Sequence, residues 1–288
     1  MSSMRTVDQL MDLSGRRVLV TGGAGHIGLA AGEACIELGA RVAVLDLGAQ
    51  ACQERARVLS QLRRPSPVTV PEERTSRSDE SEIGAIPVPC DLRDETQSRR
   101  AVRHVIEQFG GLEVIIHCAG YVGTTQLAGW TAPFDQQTVS AWDEAMRVNL
   151  TSAFAAVQEA RHALEASGRG SVIFFSSIYG MVGPDLRLYE GTGMQHAAAY
   201  DASKGGLLML MRYLATVLAP KVRVNAISPG GLWRGQPEAF QQRYVERTPQ
   251  GRMASEEDLK GAVAYLASDL SAYVTGHNLV VDGGWSAW

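Results

Sequence analysis

The chain predicts an α/β fold built on one parallel sheet of about seven strands, doubly wound by helices on both faces. Three observations carry that expectation. Short apolar, β-rich runs alternate with stretches of helical periodicity along the chain. The runs lack polar alternation, as strands buried on both faces do. A glycine-rich turn, Gly22 to Gly28, joins the first run to the first helical stretch. The length of 288 residues suits a single domain, 1–288, with a substantial core.

The elements follow in order. After an N-terminal arm, 1–13, strands are expected at Arg17–Val20, Val42–Leu45, Ala85–Pro89 and Leu112–His117, then at Ser171–Phe175, Val222–Ile227 and Leu279–Val281. Helical periodicity covers Leu29–Leu38, Ala49–Leu62, Glu95–Phe109, Trp142–Ala166, Tyr200–Leu218 and Ser255–Leu266. Two of these carry start signals, Asp94 with Gln97 and Ser255 with Asp258, a cap residue three before a side chain that reaches back. Arg63 to Gly84 is rich in Arg, Ser, Pro and Glu without a period, and reads as a mobile surface loop. Residues 180–199 form an insertion ahead of Tyr200, and 230–252 should cover the substrate as a lid.

Bulk properties exclude several classes. Apolar residues at 45% and charged residues at 20% are ordinary for a globular protein. A net charge of -4 gives no electrostatic reason to expect nucleic acid or an anionic membrane as partner. The richest apolar run, Leu207 to Leu218, is interrupted by Arg212, and the first 13 residues lack the pattern of a signal peptide. Cys35, Cys52, Cys90 and Cys118 show no CxxC spacing, so reduced thiols and a cytoplasmic location are expected. The six histidines have no metal-ligand spacing, so no metal is expected. His117 and His196 read as satisfied structural histidines, and Tyr179 and Tyr189 as pocket walls or packing.

The turn Gly22-Gly23-Ala24-Gly25-His26-Ile27-Gly28 contains G-x-G-x-x-G between a strand and a helix, and Asp46 ends the next strand. That is the arrangement of a Rossmann-type dinucleotide site. Glycines let backbone N–H groups approach a diphosphate at a helix N-terminus, and the carboxylate takes the adenosine ribose hydroxyls. Asp46 would repel a 2′-phosphate, and Leu47 and Gly48 offer no cation, so NAD is expected over NADP. Asp91 and Leu92, after the third strand, should lie beside the adenine.

Tyr200 and Lys204 stand four residues apart, one turn of a helix, so the ammonium can hold the phenol in its ionised form. A free tyrosine ionises near pH 10, and a base useful near neutrality needs roughly 3–4 kcal/mol of phenolate stabilisation. Together with Asn149, Ser177 and the glycine turn, the pair reads as proton-transfer chemistry beside a dinucleotide.

These motifs, in this order, resemble the short-chain dehydrogenase/reductase family from about Leu13 to Trp288. The resemblance implies a catalytic tetrad of Asn149, Ser177, Tyr200 and Lys204. Tyr200 would take a proton from a substrate hydroxyl as hydride leaves the same carbon for the nicotinamide, and Ser177 would hydrogen-bond the substrate oxygen. Lys204 would lower the Tyr200 pKa and hold the nicotinamide ribose, while Asn149 passes protons to solvent through a water. It further implies that Cys118, Ala119, Gly120, Pro229 and Gly230 line the cofactor, and that the chain is a homotetramer paired through Trp142–Ala166 and Tyr200–Leu218. The expected partner is a small-molecule alcohol or ketone, sugar- or polyol-derived.

Three departures from the family pattern stand out. His26 replaces a glycine usual in the classical branch, giving a spacing that resembles the extended, sugar-nucleotide-modifying branch. His117-Cys118-Ala119-Gly120 replaces Asn-Asn-Ala-Gly and removes amides that brace the central strand. Ser177 and Tyr200 are 23 apart (200 − 177), nearly double the family's habitual gap, and the inserted Asp185–Thr192 resembles bacterial relatives linked with surface-sugar biosynthesis. Alternative functions are a sugar-nucleotide epimerase or dehydratase and a non-catalytic dinucleotide sensor. The cations Arg234, Arg243, Arg247 and Arg252 leave two readings of the lid, a pocket for an anionic substrate or a solvated helix face.

Overall fold

A computed structural model describes residues 4–62 and 84–288; the expected 63–84 loop, apart from Gly84, lies outside them. Seven strands form one parallel sheet: β1 (Arg17–Thr21), β2 (Arg41–Asp46), β3 (Ala85–Pro89), β4 (Val114–His117), β5 (Gly170–Phe175), β6 (Val222–Pro229) and β7 (Asn278–Val281). Their spatial order is β3-β2-β1-β4-β5-β6-β7. The chain winds outward from β1 to β3, then returns to place β4 on the other side of β1. That reversal opens a crevice beyond the carboxyl ends of β1 and β4, where open α/β sheets bind their ligands.

Alternate residues of each strand enter opposite cores. On one face Leu19, Ile115, Val172 and Phe174 pack with α4 (Glu95–Phe109), α6 (Ser152–Ala166) and α7 (Ala198–Val217). On the other, Val18, Val20, Ile116 and Ile173 pack with α2 (His26–Glu37), α3 (Ala49–Gln61) and α9 (Glu257–Ala267). The proline-bearing strand β3 takes the sheet edge, and Pro87 and Pro89 are exposed there, which spares a central ladder two missing N–H donors.

Three elements differ from expectation. The stretch Trp142–Ala166 is not one α-helix: α5 (Val139–Met146) runs through a π-helical turn, Arg147–Thr151, into α6. The turn holds Asn149 wholly buried, and such a widened turn re-aims a side chain without ending the helix. Asp94 caps α4 as expected, accepting from Gln97 N at 3.0 Å. At α9 only half of the expected box forms, because Asp258 accepts from Ser255 N at 2.8 Å while the Ser255 hydroxyl donates to the same carboxylate. The arm holds a short helix, α1 (Val7–Met11), closed by a Thr6–Gln9 capping box.

Candidate active site at the carboxyl ends of the strands

A cleft of about 910 Å³ lies over the ends of β1, β4, β5 and β6. Gly22, Gly25, His26, Ile27 and Gly28 form one wall. Gly22 has φ +66°, and a Cβ there would sit 2.6 Å from Ala119 N; one at Gly28 would sit 2.1 Å from Gly22 O. Both positions therefore need glycine, which brings the turn and the N-terminus of α2 close to a ligand. Gly23 is not in the cleft: it packs against Val44, and its N–H bonds Leu45 O at 3.0 Å.

At the end of the cleft beside β2 and β3, Asp46, Leu47, Asp91 and Leu92 all line it. The Asp46 carboxylate accepts from Ala24 N at 3.0 Å and Leu47 N at 2.7 Å, which fixes its position. The Arg93 guanidinium holds the Asp91 carboxyl below its ordinary pKa. A cation missed in the sequence approaches this end: Arg55 Nε donates to Ala24 O at 3.4 Å. Leu47 and Gly48 offer no cation, as expected, and Arg55 comes instead from α3.

The other end gathers Cys118, Ala119, Gly120, Ser177, Tyr200, Lys204, Pro229 and Gly230. Ser177 follows β5, its hydroxyl accepting from Tyr179 N at 3.2 Å, while its neighbour Ser176 is turned away, its hydroxyl donating to Lys204 O at 2.8 Å. Tyr200 and Lys204 share one face of α7. Lys204 is 4% exposed, its Nζ donates to Phe175 O at 2.8 Å and lies 5.6 Å from the centre of the Tyr200 ring. A Cβ on Gly120 would lie 3.3 Å from Asn149 Oδ1 and 3.4 Å from Lys204 Nζ, so these three converge behind the cleft floor. Asn149 itself does not line the cleft. Its Nδ2 donates to Ser203 Oγ at 2.9 Å and its Oδ1 accepts from Tyr121 N at 2.7 Å.

Electrostatics here depart from the simple picture of a lysine ionising a tyrosine. Burial pulls the Lys204 ammonium down to about 8. Burial likewise pushes the Tyr200 phenol up to about 12, with Asp201 and Tyr189 adding to the rise and the Ser177 hydrogen bond opposing it. Desolvation of the phenolate outweighs the opposing Ser177 hydroxyl, so the protein groups alone leave Tyr200 protonated near neutral pH.

The strand brace lost with the family's amides is replaced. His117, 1% exposed, meets Thr21 Oγ1 at 2.8 Å through Nδ1 and Asn149 O at 3.2 Å through Nε2. Burial and the Lys204 charge push its pKa down to about 3, so the ring is neutral. With Nε2–H donating to the carbonyl, Nδ1 accepts from the Thr21 hydroxyl. One imidazole thus ties β4 to β1 and to the π-helical turn.

The insertion supplies the remaining wall. Tyr189, Met194, Gln195 and His196 line the cleft. His196 Nε2 meets Asp201 Oδ1 at 2.6 Å, its Nδ1 meets Tyr189 Oη at 3.1 Å, and its ring stands 6.1 Å from that of Tyr200. In the 230–252 segment, α8 (Glu238–Glu246) buries Phe240 and Tyr244 against the insertion. Its arginines divide between the two readings, most of them paired with the fold and one facing the cleft. Arg243 donates to the carbonyls of Arg187, Leu188 and Glu190, and Arg247 pairs with Asp185. Arg252 pairs with Asp258, and of the four arginines Arg234 alone lines the cleft.

Comparison with known proteins gives this arrangement its family. A family model described as enoyl-(acyl carrier protein) reductase matches residues 22–286. Sorbose reductase of Schizosaccharomyces pombe is 30% identical over 281 residues, covering 96% of this chain and 98% of the relative. An NADP-dependent mannitol dehydrogenase of Alternaria alternata is 29% identical over 283 residues, covering 96% and 94%. The crystal structure of an NADPH-dependent 3-quinuclidinone reductase from Rhodotorula rubra is similar with a TM-score of 0.79 at 26% identity, covering 100% of this chain and 97% of that one. The chain belongs to the short-chain dehydrogenase/reductase family, oxidoreductases that act on CH–OH groups with a nicotinamide dinucleotide.

Proposed function

We propose that the chain interconverts a secondary alcohol and a ketone on a sugar- or polyol-derived substrate, with NAD(H) as its dinucleotide. The observation that carries this reading is the meeting of Ser177, Tyr200 and Lys204 at one end of a cleft whose other end is the glycine turn and Asp46. Bound there, the dinucleotide supplies the hydride acceptor and, when oxidised, a cationic ring that adds to the lysine charge in favouring the phenolate. Tyr200 Oη takes the proton of the substrate hydroxyl. Ser177 Oγ donates to the same oxygen as its charge changes. Lys204 holds its ammonium beside both the phenol and the Phe175 carbonyl, and the buried Asn149 fixes the turn through which protons leave.

Two observations favour a polyhydroxylated substrate. The wall opposite the glycine turn carries Tyr189, His196 and Gln195, polar groups suited to hydroxyls. The curated relatives include a sorbose reductase and a mannitol dehydrogenase. Preference for NAD rests on Asp46, whose fixed carboxylate suits a ribose diol and opposes a 2′-phosphate. The test is an oxidation and reduction screen with both dinucleotides against sugars, polyols, hydroxy acids and their phosphate esters. Neutral polyols should turn over at least as well as phosphorylated ones, because Arg243, Arg247 and Arg252 are spent on the fold. Dinucleotide binding without turnover of any alcohol or ketone would replace this reading with a sensor.

A further inference from the structure

The glycine turn, the segment after β6 and the start of α9 meet at one carboxylate oxygen. Glu256 Oε1 lies 2.6 Å from Arg234 Nη1 and 3.4 Å from His26 Nδ1. Arg234 and His26 both line the cleft beside Gly22 and Gly25. His26 is also the first residue of α2 and the departure from the family's glycine. The proposed proton and hydride transfer uses neither Arg234 nor Glu256.

We propose that Arg234 from the lid segment and His26 from the glycine turn together clasp the diphosphate of the dinucleotide, with Glu256 as the positioning residue that holds them in reach. The donor inventory supports this. The bonds of the Arg234 side chain, to Trp233 O at 3.0 Å and to Glu256, both use Nη1. Among the described residues Nε and Nη2 have no other partner, so three N–H donors remain for phosphate oxygens in the fork geometry that suits them. His26 spends only Nδ1 on Glu256, its side chain is 68% exposed, and Nε2 remains for a ligand. The N-terminus of α2 adds backbone N–H groups and a favourable dipole at the same place. Because Glu256 already neutralises one cation, the attraction for a diphosphate comes from the unspent N–H donors of Arg234 and His26 and from the N-terminus of α2, not from an excess of side-chain charge.

The backbone is built to hold Arg234 there. Leu232 and Ala254 form a bridge, Trp233 N bonds Ala254 O at 2.9 Å, and Gln236 Nε2 returns to Leu232 O at 2.8 Å. The segment bearing Arg234 is thus stitched to the residues just before Glu256. Ligand binding would therefore couple the lid segment to the glycine turn through a side-chain contact that a glycine at position 26 could not make.

The inference rests on the proposed dinucleotide site, and calorimetric titration separates the two. ADP-ribose carries the diphosphate and adenosine lacks it, and neither needs turnover. For Arg234→Gln the expected result is an ADP-ribose affinity lower by about tenfold or more, the scale of one charge-assisted bond, with adenosine binding unchanged. His26→Gln should show the same pattern with a smaller loss. Glu256→Gln should alter ADP-ribose affinity in the wild-type background and do so less in the Arg234→Gln background, where only His26 remains to be held. Equal ADP-ribose affinity in wild type and Arg234→Gln would overturn the clasp, as would a parallel loss for adenosine. Failure of the wild-type chain to bind ADP-ribose at all would instead overturn the dinucleotide site.

Discussion

His117 offers a quantitative test of the site's architecture. Its neutral imidazole is enclosed and uses both nitrogens, on Thr21 and on the Asn149 carbonyl. In the unfolded chain the ring titrates at its ordinary 6.5, and in the fold at about 3. Below pH 6.5 the unfolded chain gains a proton that the folded chain refuses, so stability contributed by this group is complete above 6.5 and falls as pH drops toward 3. At pH 4.5 the separation of two pH units from 6.5 corresponds to about 2.7 kcal/mol. Replacing the ring with His117→Asn loses part of the brace at pH 7, a cost of about 1–3 kcal/mol, but also removes the acid penalty. Urea unfolding of both proteins at pH 7 and pH 4.5 isolates the effect, because the carboxylates titrate alike in each. The deficit of the variant should shrink by about 2–3 kcal/mol on acidification. An identical deficit at the two pH values would refute the buried neutral imidazole and the strand brace built on it.

Other consequences are open to direct measurement. NAD should be used with a kcat/KM at least tenfold above that for NADP, on the order of 1.4 kcal/mol, and Asp46→Ala should narrow the gap through loss of the fixed carboxylate; an unchanged ratio would refute discrimination by Asp46. Trp142, Phe154, Met209 and Tyr213 are 40%, 40%, 61% and 60% exposed on α5, α6 and α7, an apolar face that a second copy would cover. Light scattering should then report a tetramer, and Tyr213→Glu should shift it toward smaller species, whereas a wild-type monomer would dismiss the pairing.

How far these features could be read beforehand follows from the range of the interactions that make them. Strands such as Val42–Leu45 announce themselves because burial on both faces leaves no polar alternation. The glycine turn and the Tyr200–Lys204 pair are likewise local, fixed by backbone conformation and one helical turn. The π-helical turn at Asn149 was not legible, since one added residue leaves the apolar period of the flanking helix almost intact. His117 was visible as a departure, but its role needs β1 and β4 side by side. The lid arginines illustrate the same limit: their charge is in the sequence, while the direction of Arg234 into the cleft and of Arg243 onto the insertion is set by tertiary packing. Arg55 reached the glycine turn unannounced for the same reason. Tyr200 shows the energetic counterpart. The spacing to Lys204 was clear, yet the enclosure that raises the phenol to about 12 depends on the whole site.

The central claim is that Tyr200 transfers the proton. It is tested most directly by Tyr200→Phe in a chain whose NADH affinity is measured alongside turnover of the best substrate from the screen. The account predicts NADH binding within a fewfold of wild type and a loss of turnover of about 10²–10⁴-fold, the usual contribution of a positioned acid–base group. Near-normal turnover by that variant, with the dinucleotide bound, would contradict it.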